Sequence, residues 1–363
     1  MILGIVGLPS CGKTTVFNAL TGAKIATGTF TAAEDAAHVA MVKVPDPRLD
    51  ALTRHYNPKK KTHVELKVMD FAPWQKSQAG KGFSAKSLGE MRACDALLLV
   101  VRAFEDEAVP HPDDSVDAAR DMEALLLELA FADIEVLDRR IERIDASWSR
   151  GSKEERVRLE KEKIVIQGVK AKLEKNTMPQ DVSLDEEELS AVRNFGLFLE
   201  KPLIGVVNIH EDDLGKDMTG PMQAIFPGAP LPLLALAGKI EMEIDGLDQD
   251  ERQVFLDDLG ITEPARDRIL RLAWELLGLI VFLTAGEDEC RTWAIHRGDN
   301  AVTAAGKIHS DLARGFIRAE VTAYSDFEQY GGMQGVKDAG KFHLEGKDYI
   351  VKDGDILQIR FNV

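Results

Sequence analysis

Residues 7–14 read GLPSCGKT and lie between the apolar run ILGIVG (2–7) and the stretch KTTVFNAL (13–20). The pattern G-x-x-x-x-G-K-[ST] requires a buried strand to turn into a helix through a loop whose backbone N–H groups converge on one point. A chain built around it is an α/β protein with a parallel sheet. The loop amides cradle phosphates, Lys13 reaches the β and γ oxygens, and the Thr14 hydroxyl ligates Mg²⁺. Ser10, Cys11, Gly12, Lys13, Thr14 and Thr15 are therefore the expected phosphate-binding set, with Lys13 the one evident catalytic side chain. Asp70, at the end of the apolar run THVELKVMDF (62–71), is the expected second metal-holding residue.

The rest of the first hundred residues suits that sheet. AHVAMVKV (37–44) and THVELKVMDF read as strands, and ALLLVVRAF (96–104) is a continuous apolar run of the kind found in a central parallel strand. PLIGVVN (202–208) and PLPLLAL (230–236) supply two more. Between about 115 and 195 the pattern becomes helical. MEALLLELAFADIEVLDRRIERI (122–144) and EERVRLEKEKIVIQGVKAKLEK (154–175) carry apolar residues at three- and four-residue spacing around a break at RGS (150–152), which predicts an antiparallel helical hairpin projecting as an arm. From about 279 onward, short strand-like pieces with turn signals predict a small mixed-β module. The expected organisation is a nucleotide-binding domain at 1–115 and 196–278, a helical insertion at 116–195 and a C-terminal domain at 279–363.

Composition sets the outer limits. With 363 residues, 45% of them apolar, the chain can bury the core of two or three domains. A net charge of -16 removes any whole-molecule attraction to nucleic acid, and KKK (59–61) reads as a solvated loop. No run approaches the roughly 18 apolar residues of a membrane span. The opening residues lack a basic segment and read as a strand rather than a signal peptide. Cys11, Cys94 and Cys290 are widely spaced and odd in number, which points to a reducing cytoplasm rather than a disulfide framework. Cys11, at a helix start beside Lys13, has two readings: an oxidisable thiol of lowered pKa, or a small side chain filling the loop.

A guanine-reading loop has Asn-Lys-x-Asp after an apolar strand. Here PLIGVVN runs into Asn208-Ile209-His210-Glu211, without the lysine and with glutamate for aspartate. Adenine lacks the donors that such an aspartate recognises, whereas an asparagine amide can pair with adenine N6 and N7. NIHEDD could otherwise be a plain loop. GLPSCGKTTVFNALTG, VPDPRLD (44–50), CDALLLVVRAFED (94–106), the Asn-x-x-Glu element, AGKIEMEI (237–244) and the tail AGKFHLEGKDYIVKDGDILQIRFNV (339–363) together resemble the YchF family of Obg-related P-loop proteins, over nearly the whole chain. The resemblance implies a G-type domain with a coiled-coil insertion and a C-terminal TGS domain of ubiquitin-like form. It also implies weak ATPase activity with ATP preferred over GTP, Mg²⁺ as cofactor, and association with the ribosome or a translation factor. RNA contact through the TGS domain is a further possibility; the basic residues Arg291, His296, Lys307, His309, Arg314 and Arg318 could face RNA or protein, or be ordinary surface. Adenine selection carries onto Asn208 and Glu211, and Gly238 joins the nucleotide-binding set.

Four departures from the family cluster around the phosphates. Ser10 replaces the asparagine expected to hold a monovalent cation. TFTAAEDAAHVAM (29–41) lacks the family's Thr-Ile-Glu-Pro-Asn, leaving Thr31 as the nearest metal-sensing hydroxyl. Pro73 stands where Asp-x-x-Gly supplies an N–H to the γ-phosphate, and proline has none. Trp74 follows, keeping the family's hydrophobic side chain where classical GTPases place glutamine. QAGKGFSAKSLGEM (78–91) replaces a glycine-rich segment and predicts a mobile loop. The reading that results is a cytoplasmic, slow, Mg²⁺-dependent ATPase. An ATP-binding module without turnover and a GTPase are the alternatives.

Overall fold

The computed structural model describes residues 1–25, 37–74, 82–149, 151–175, 179–223 and 231–362. The strands are β1 (Ile2–Gly7), β2 (His38–Lys43), β3 (Lys60–Thr62), β4 (Glu65–Asp70), β5 (Ala96–Arg102), β6 (Leu203–Asn208), β7 (Leu233–Leu236), β8 (Leu279–Thr284), β9 (Glu289–His296), β10 (Phe316–Ala323), β11 (His343–Glu345) and β12 (Asp355–Phe361). The helices used below are α1 (Lys13–Thr21), α2 (Pro47–Tyr56), α3 (Ala85–Arg92), α4 (Ala118–Trp148) and α5 (Lys153–Lys175). The chain forms two compact units, residues 1–40 with 67–269 and residues 41–66 with 270–363.

The first unit holds a sheet of order β2-β4-β1-β5-β6-β7. The pairs from β4 to β7 are parallel, with Ile5 opposite Asp70, Gly7 opposite Val100, and Arg102 opposite Asn208. This register brings the carboxyl ends of β1, β4, β5 and β6 to one edge, where open parallel sheets bind ligands. Every residue of β5 is buried, as its unbroken apolar run requires.

The expected helical hairpin forms. Leu137, Ile141 and Ile144 of α4 meet Ile166, Val169 and Leu173 of α5 in a cluster of their own, and Arg140–Glu162 and Lys163–Asp145 pair between the helices. The arm is shorter than the expected insertion, because Met122, Leu125, Leu126 and Leu129 at the start of α4 are buried in the core of the nucleotide sheet.

The second unit is a mixed sheet of order β11-β10-β12-β8-β9-β3. It takes in residues that the sequence assigns to the nucleotide domain. Asp46 caps α2 by accepting from the Arg48 N–H (2.9 Å) with Pro47 as the first helical residue, and the Leu49 and Leu52 side chains pack on Leu283, Cys290, Phe327 and Ile356. The run 62–71 is not one strand: Lys60–Thr62 pairs with β9, and Glu65–Asp70 enters the other sheet. The lysine cluster is accordingly an edge strand rather than a loop. Lys59, Lys60 and Lys61 pair with Asp288, Glu289 and Asp50, a charged edge that resists further strand addition. Among the described residues no helix is long and apolar enough to cross a membrane.

One buried ion pair fixes the root of the arm in the first unit. Arg92 of α3 donates to Asp133 of α4 (2.8 Å), and the other Asp133 oxygen accepts from the Leu199 N–H (2.9 Å). Asp133 is fully buried, so removing it leaves the Leu199 N–H without its acceptor and takes the charge partner from Arg92, which is partly buried and keeps the Gly196 and Ala132 carbonyls. We expect Asp133→Ala to lower unfolding free energy by about 3 kcal/mol. A urea midpoint unchanged from the wild type would show that this pair does not hold the arm.

Candidate nucleotide site

The loop after β1 has the conformation that its residues predict. Ser10 (φ 61°) and Gly12 (φ 84°) are both left-handed and flank Cys11, an alternation that turns successive N–H groups toward one concavity. Gly12 precedes α1 with no side chain to cap its first turn. A Cβ at Gly12 would lie 2.0 Å from Asn208 Nδ2, so both the backbone angle and the contact require glycine. Lys13 is buried, Thr14 and Thr15 are half-buried, and Ser10 is exposed at the rim.

Asp70 gathers the side chains opposite the loop. It is wholly buried, forms an ion pair with Lys13 through Oδ1, and accepts a hydrogen bond from Thr14 Oγ1 at Oδ2 (3.0 Å). His38 Nδ1 lies 3.4 Å from that same Oδ2. The structure thus brings together Lys13, Thr14 and Asp70 as the sequence predicts, and adds His38. The signal for His38 was a lone histidine at the start of an otherwise apolar strand.

Asn208, at the end of β6, is a brace. Its Nδ2 donates to the Cys11 carbonyl (3.0 Å) and its Oδ1 accepts from the Gly238 N–H (3.1 Å). An asparagine amide has one further hydrogen and one further lone pair, so each end keeps one unused hydrogen-bonding position. Gly238 leaves no room for a side chain, since a Cβ there would lie 3.1 Å from both Asn208 Oδ1 and Thr15 Cγ2. Ile209 is buried in the core, His210 Nδ1 accepts from the Asp212 N–H (3.3 Å), and Glu211 is exposed in a short turn. Phe104, an aromatic at the end of an apolar run with no motif to mark it, lies 3.9 Å from the Cβ position of Gly12 and stacks under the Arg102 guanidinium (4.5 Å). Arg102 is itself buried and donates to the carbonyls of Phe104 and Val109 (2.8 and 2.7 Å).

Two family profiles match parts of the chain. A family profile described as a 50S ribosome-binding GTPase matches residues 2–137, and a profile for the YchF GTPase C-terminal region, described as a protein of unknown function, matches residues 279–362. The chain is 38% identical to the ribosome-binding ATPase YchF of Bacillus subtilis, over 99% of both chains. It is 34% identical to Obg-like ATPase 1 of Gallus gallus, over 99% of this chain and 92% of that one. The chain belongs to the YchF family. The solved YchF GTPase of Schizosaccharomyces pombe superposes with a TM-score of 0.85 at 29% identity, covering 99% of this chain and 97% of that one.

Against the YchF pattern, the segment after Asp70 is distinctive. The Phe71 N–H donates to the Ile5 carbonyl (3.2 Å), Pro73 has no N–H, and the Trp74 N–H donates to the Gly7 carbonyl (3.0 Å). Neither position 73 nor position 74 therefore presents an amide to a phosphate. The Trp74 side chain is withdrawn into the core, its ring 6.5 Å from that of Phe83. Thr31 and residues 78–81 lie outside the described residues. Part of the expected mobile loop is helical, since Ser84 caps α3 by accepting from the Ser87 N–H (3.1 Å). In the C-terminal unit Arg291 lies over Trp293 (3.9 Å), Arg314 pairs with Asp311, and His309 caps a short helix.

The oxidisable reading of Cys11 is overturned. Cys11 is 2% exposed, and burial pushes its thiol up to about 11 despite Lys13 beside it. Only the thiolate is a good nucleophile. Cys11 in the folded chain should resist iodoacetamide at pH 8, with labelling appearing in urea. Rapid labelling of the native protein would restore the reactive thiol.

Proposed function

We propose that this protein binds ATP with a divalent cation, hydrolyses it slowly and acts at the ribosome. The observation that carries the reading is the convergence on one sheet edge of a left-handed phosphate loop, a buried Lys13–Thr14–Asp70 group, and Asn208 held against that loop. The loop amides and the start of α1 would bind the phosphates, with Ser10, Cys11 and Gly12 shaping the concavity. Lys13 would pass from Asp70 toward the β and γ oxygens. Thr14 and Asp70 would hold the cation, Mg²⁺ by family resemblance, and their hard oxygen donors suit it. When bound, that ion neutralises phosphate charge. Asn208, Glu211 and Gly238 would line the base subsite, with Phe104 as an apolar wall. The relatives' names, ribosome-binding ATPase YchF and Obg-like ATPase, support both nucleotide and partner. The C-terminal unit, read as a TGS domain, would serve the ribosomal contact.

Slow turnover follows from what the site omits. A γ-phosphate sensor needs an N–H, and positions 73 and 74 have none to give. This favours, as a second reading, a module that binds ATP and releases it intact. Single-turnover hydrolysis of wild type and Pro73→Gly separates the two. We expect slow hydrolysis by the wild type and at least a tenfold gain in Pro73→Gly, since one aimed donor is worth that much or more. No hydrolysis by the wild type would favour the binding module, and a rate that the glycine leaves unchanged would point to another sensor. Asn208→Ala should weaken ATP binding by about tenfold, the equivalent of ~1.4 kcal/mol. Unchanged affinity would remove Asn208 from the base subsite.

A further inference from the structure

Pro73 has no N–H, so the first amide after it is that of Trp74, which donates to the carbonyl of Gly7, the residue that opens the phosphate loop (3.0 Å). What holds it there lies outside the loop. The Trp74 ring is 7% exposed, and the Phe83 ring lies 6.5 Å from it. Glu128 of α4 meets the same stretch. Its Oε1 accepts from the Phe83 N–H (3.3 Å), and its carboxyl end fills the space that a side chain at Gly82 would take. Burial pushes the Glu128 carboxyl above the ordinary glutamate range, and the Phe83 amide and the Trp74 indole pull it partly back. The indole Nε1 is nevertheless buried without completing a hydrogen bond. A half-buried carboxylate with one long bond, beside an unsatisfied N–H, is an anchor only partly made. Such an N–H costs about 1–3 kcal/mol, which offsets much of what the anchor contributes.

Resting on the nucleotide reading, we propose that Glu128 is a positioning residue for ATP hydrolysis: it keeps the Trp74 amide on the Gly7 carbonyl, and its release frees that amide to be the γ-phosphate donor that Pro73 lacks. The Trp74 N–H already meets the first carbonyl of the phosphate loop, so a small displacement gives it a new acceptor. Moving from a carbonyl to a phosphate oxygen exchanges a neutral hydrogen bond for a charge-assisted one, which is roughly twice as strong. The anchor is also well placed to set that balance. Glu128 with Phe83, and Asp133 with Arg92, tie residues 83–92 to α4 at both ends. Because α4 continues into the arm, Glu128 stands outside the nucleotide site and can be altered without touching a phosphate-binding residue.

The test is single-turnover hydrolysis of ATP with Mg²⁺ by the full chain, with binding of adenosine 5′-(β,γ-methylene)triphosphate followed by calorimetry. Glu128→Ala should hydrolyse at least about tenfold faster than the wild type, the scale of one aimed donor, while analogue affinity stays within about threefold. Glu128→Gln, which keeps an oxygen for the Phe83 N–H, should gain less than about threefold. Glu128→Asp, one methylene short of that N–H, should lie between the two and serves where the alanine variant does not fold. An ester at position 74, with indolelactate in place of tryptophan, removes that one N–H and should cancel the gain in Glu128→Ala. A gain that survives the ester, or alanine and aspartate variants no faster than the wild type, would overturn the proposal and leave the nucleotide reading intact. No analogue binding by the wild type would overturn the nucleotide reading itself, and this proposal with it.

Discussion

The buried carboxylate of Asp70 is the constraint around which the first unit's site is organised. A carboxylate removed from water at the end of a parallel strand has to be paired, and removing one partner of such a pair costs about 3–5 kcal/mol. Lys13 supplies the charge and Thr14 a hydrogen bond, so the start of α1 is tied to the end of β4. The register of β1 against β4, with Ile5 opposite Asp70, makes that tie possible. In the proposed site a triphosphate competes with Asp70 for the same ammonium, and a divalent cation would compensate the carboxylate as Lys13 leaves it.

A second tie joins the loop after β1 to the end of β6 and to Gly238. Asn208 holds the Cys11 carbonyl with one end of its amide and the Gly238 N–H with the other, while Gly12 leaves the space that its Nδ2 fills. In the proposed site, base and phosphate recognition would therefore share a side chain. The segment after Asp70 is also anchored, since the Phe71 and Trp74 amides are both spent on β1 carbonyls and the Trp74 ring is in the core. An anchored segment with proline at its centre is poorly suited to report the presence of a γ-phosphate.

Much of this was legible in the sequence, because its signals are local. The phosphate loop, the all-buried β5, the hairpin of α4 and α5, and the grouping of Lys13 with Thr14 and Asp70 follow from spacing and hydrophobic period. What was not legible depends on contacts between residues distant in sequence. Leu49 and Leu52 give no sign that their partners are Leu283 and Ile356, so residues 41–66 read as part of the nucleotide domain. The start of α4 reads as arm although it packs on the sheet. Of the two readings of Cys11, its full burial, invisible in sequence, favours the loop-filling side chain and reverses the shift expected beside a lysine. His38 required knowledge of which strand edge faces Asp70.

If Asn208 reads the base, the site binds ATP in preference to GTP. Calorimetric titration of the full chain with ATP and with GTP, at saturating divalent cation, addresses it directly. ATP should bind at least about tenfold tighter than GTP, a difference of ~1.4 kcal/mol. Equal affinities, or tighter GTP, would contradict it.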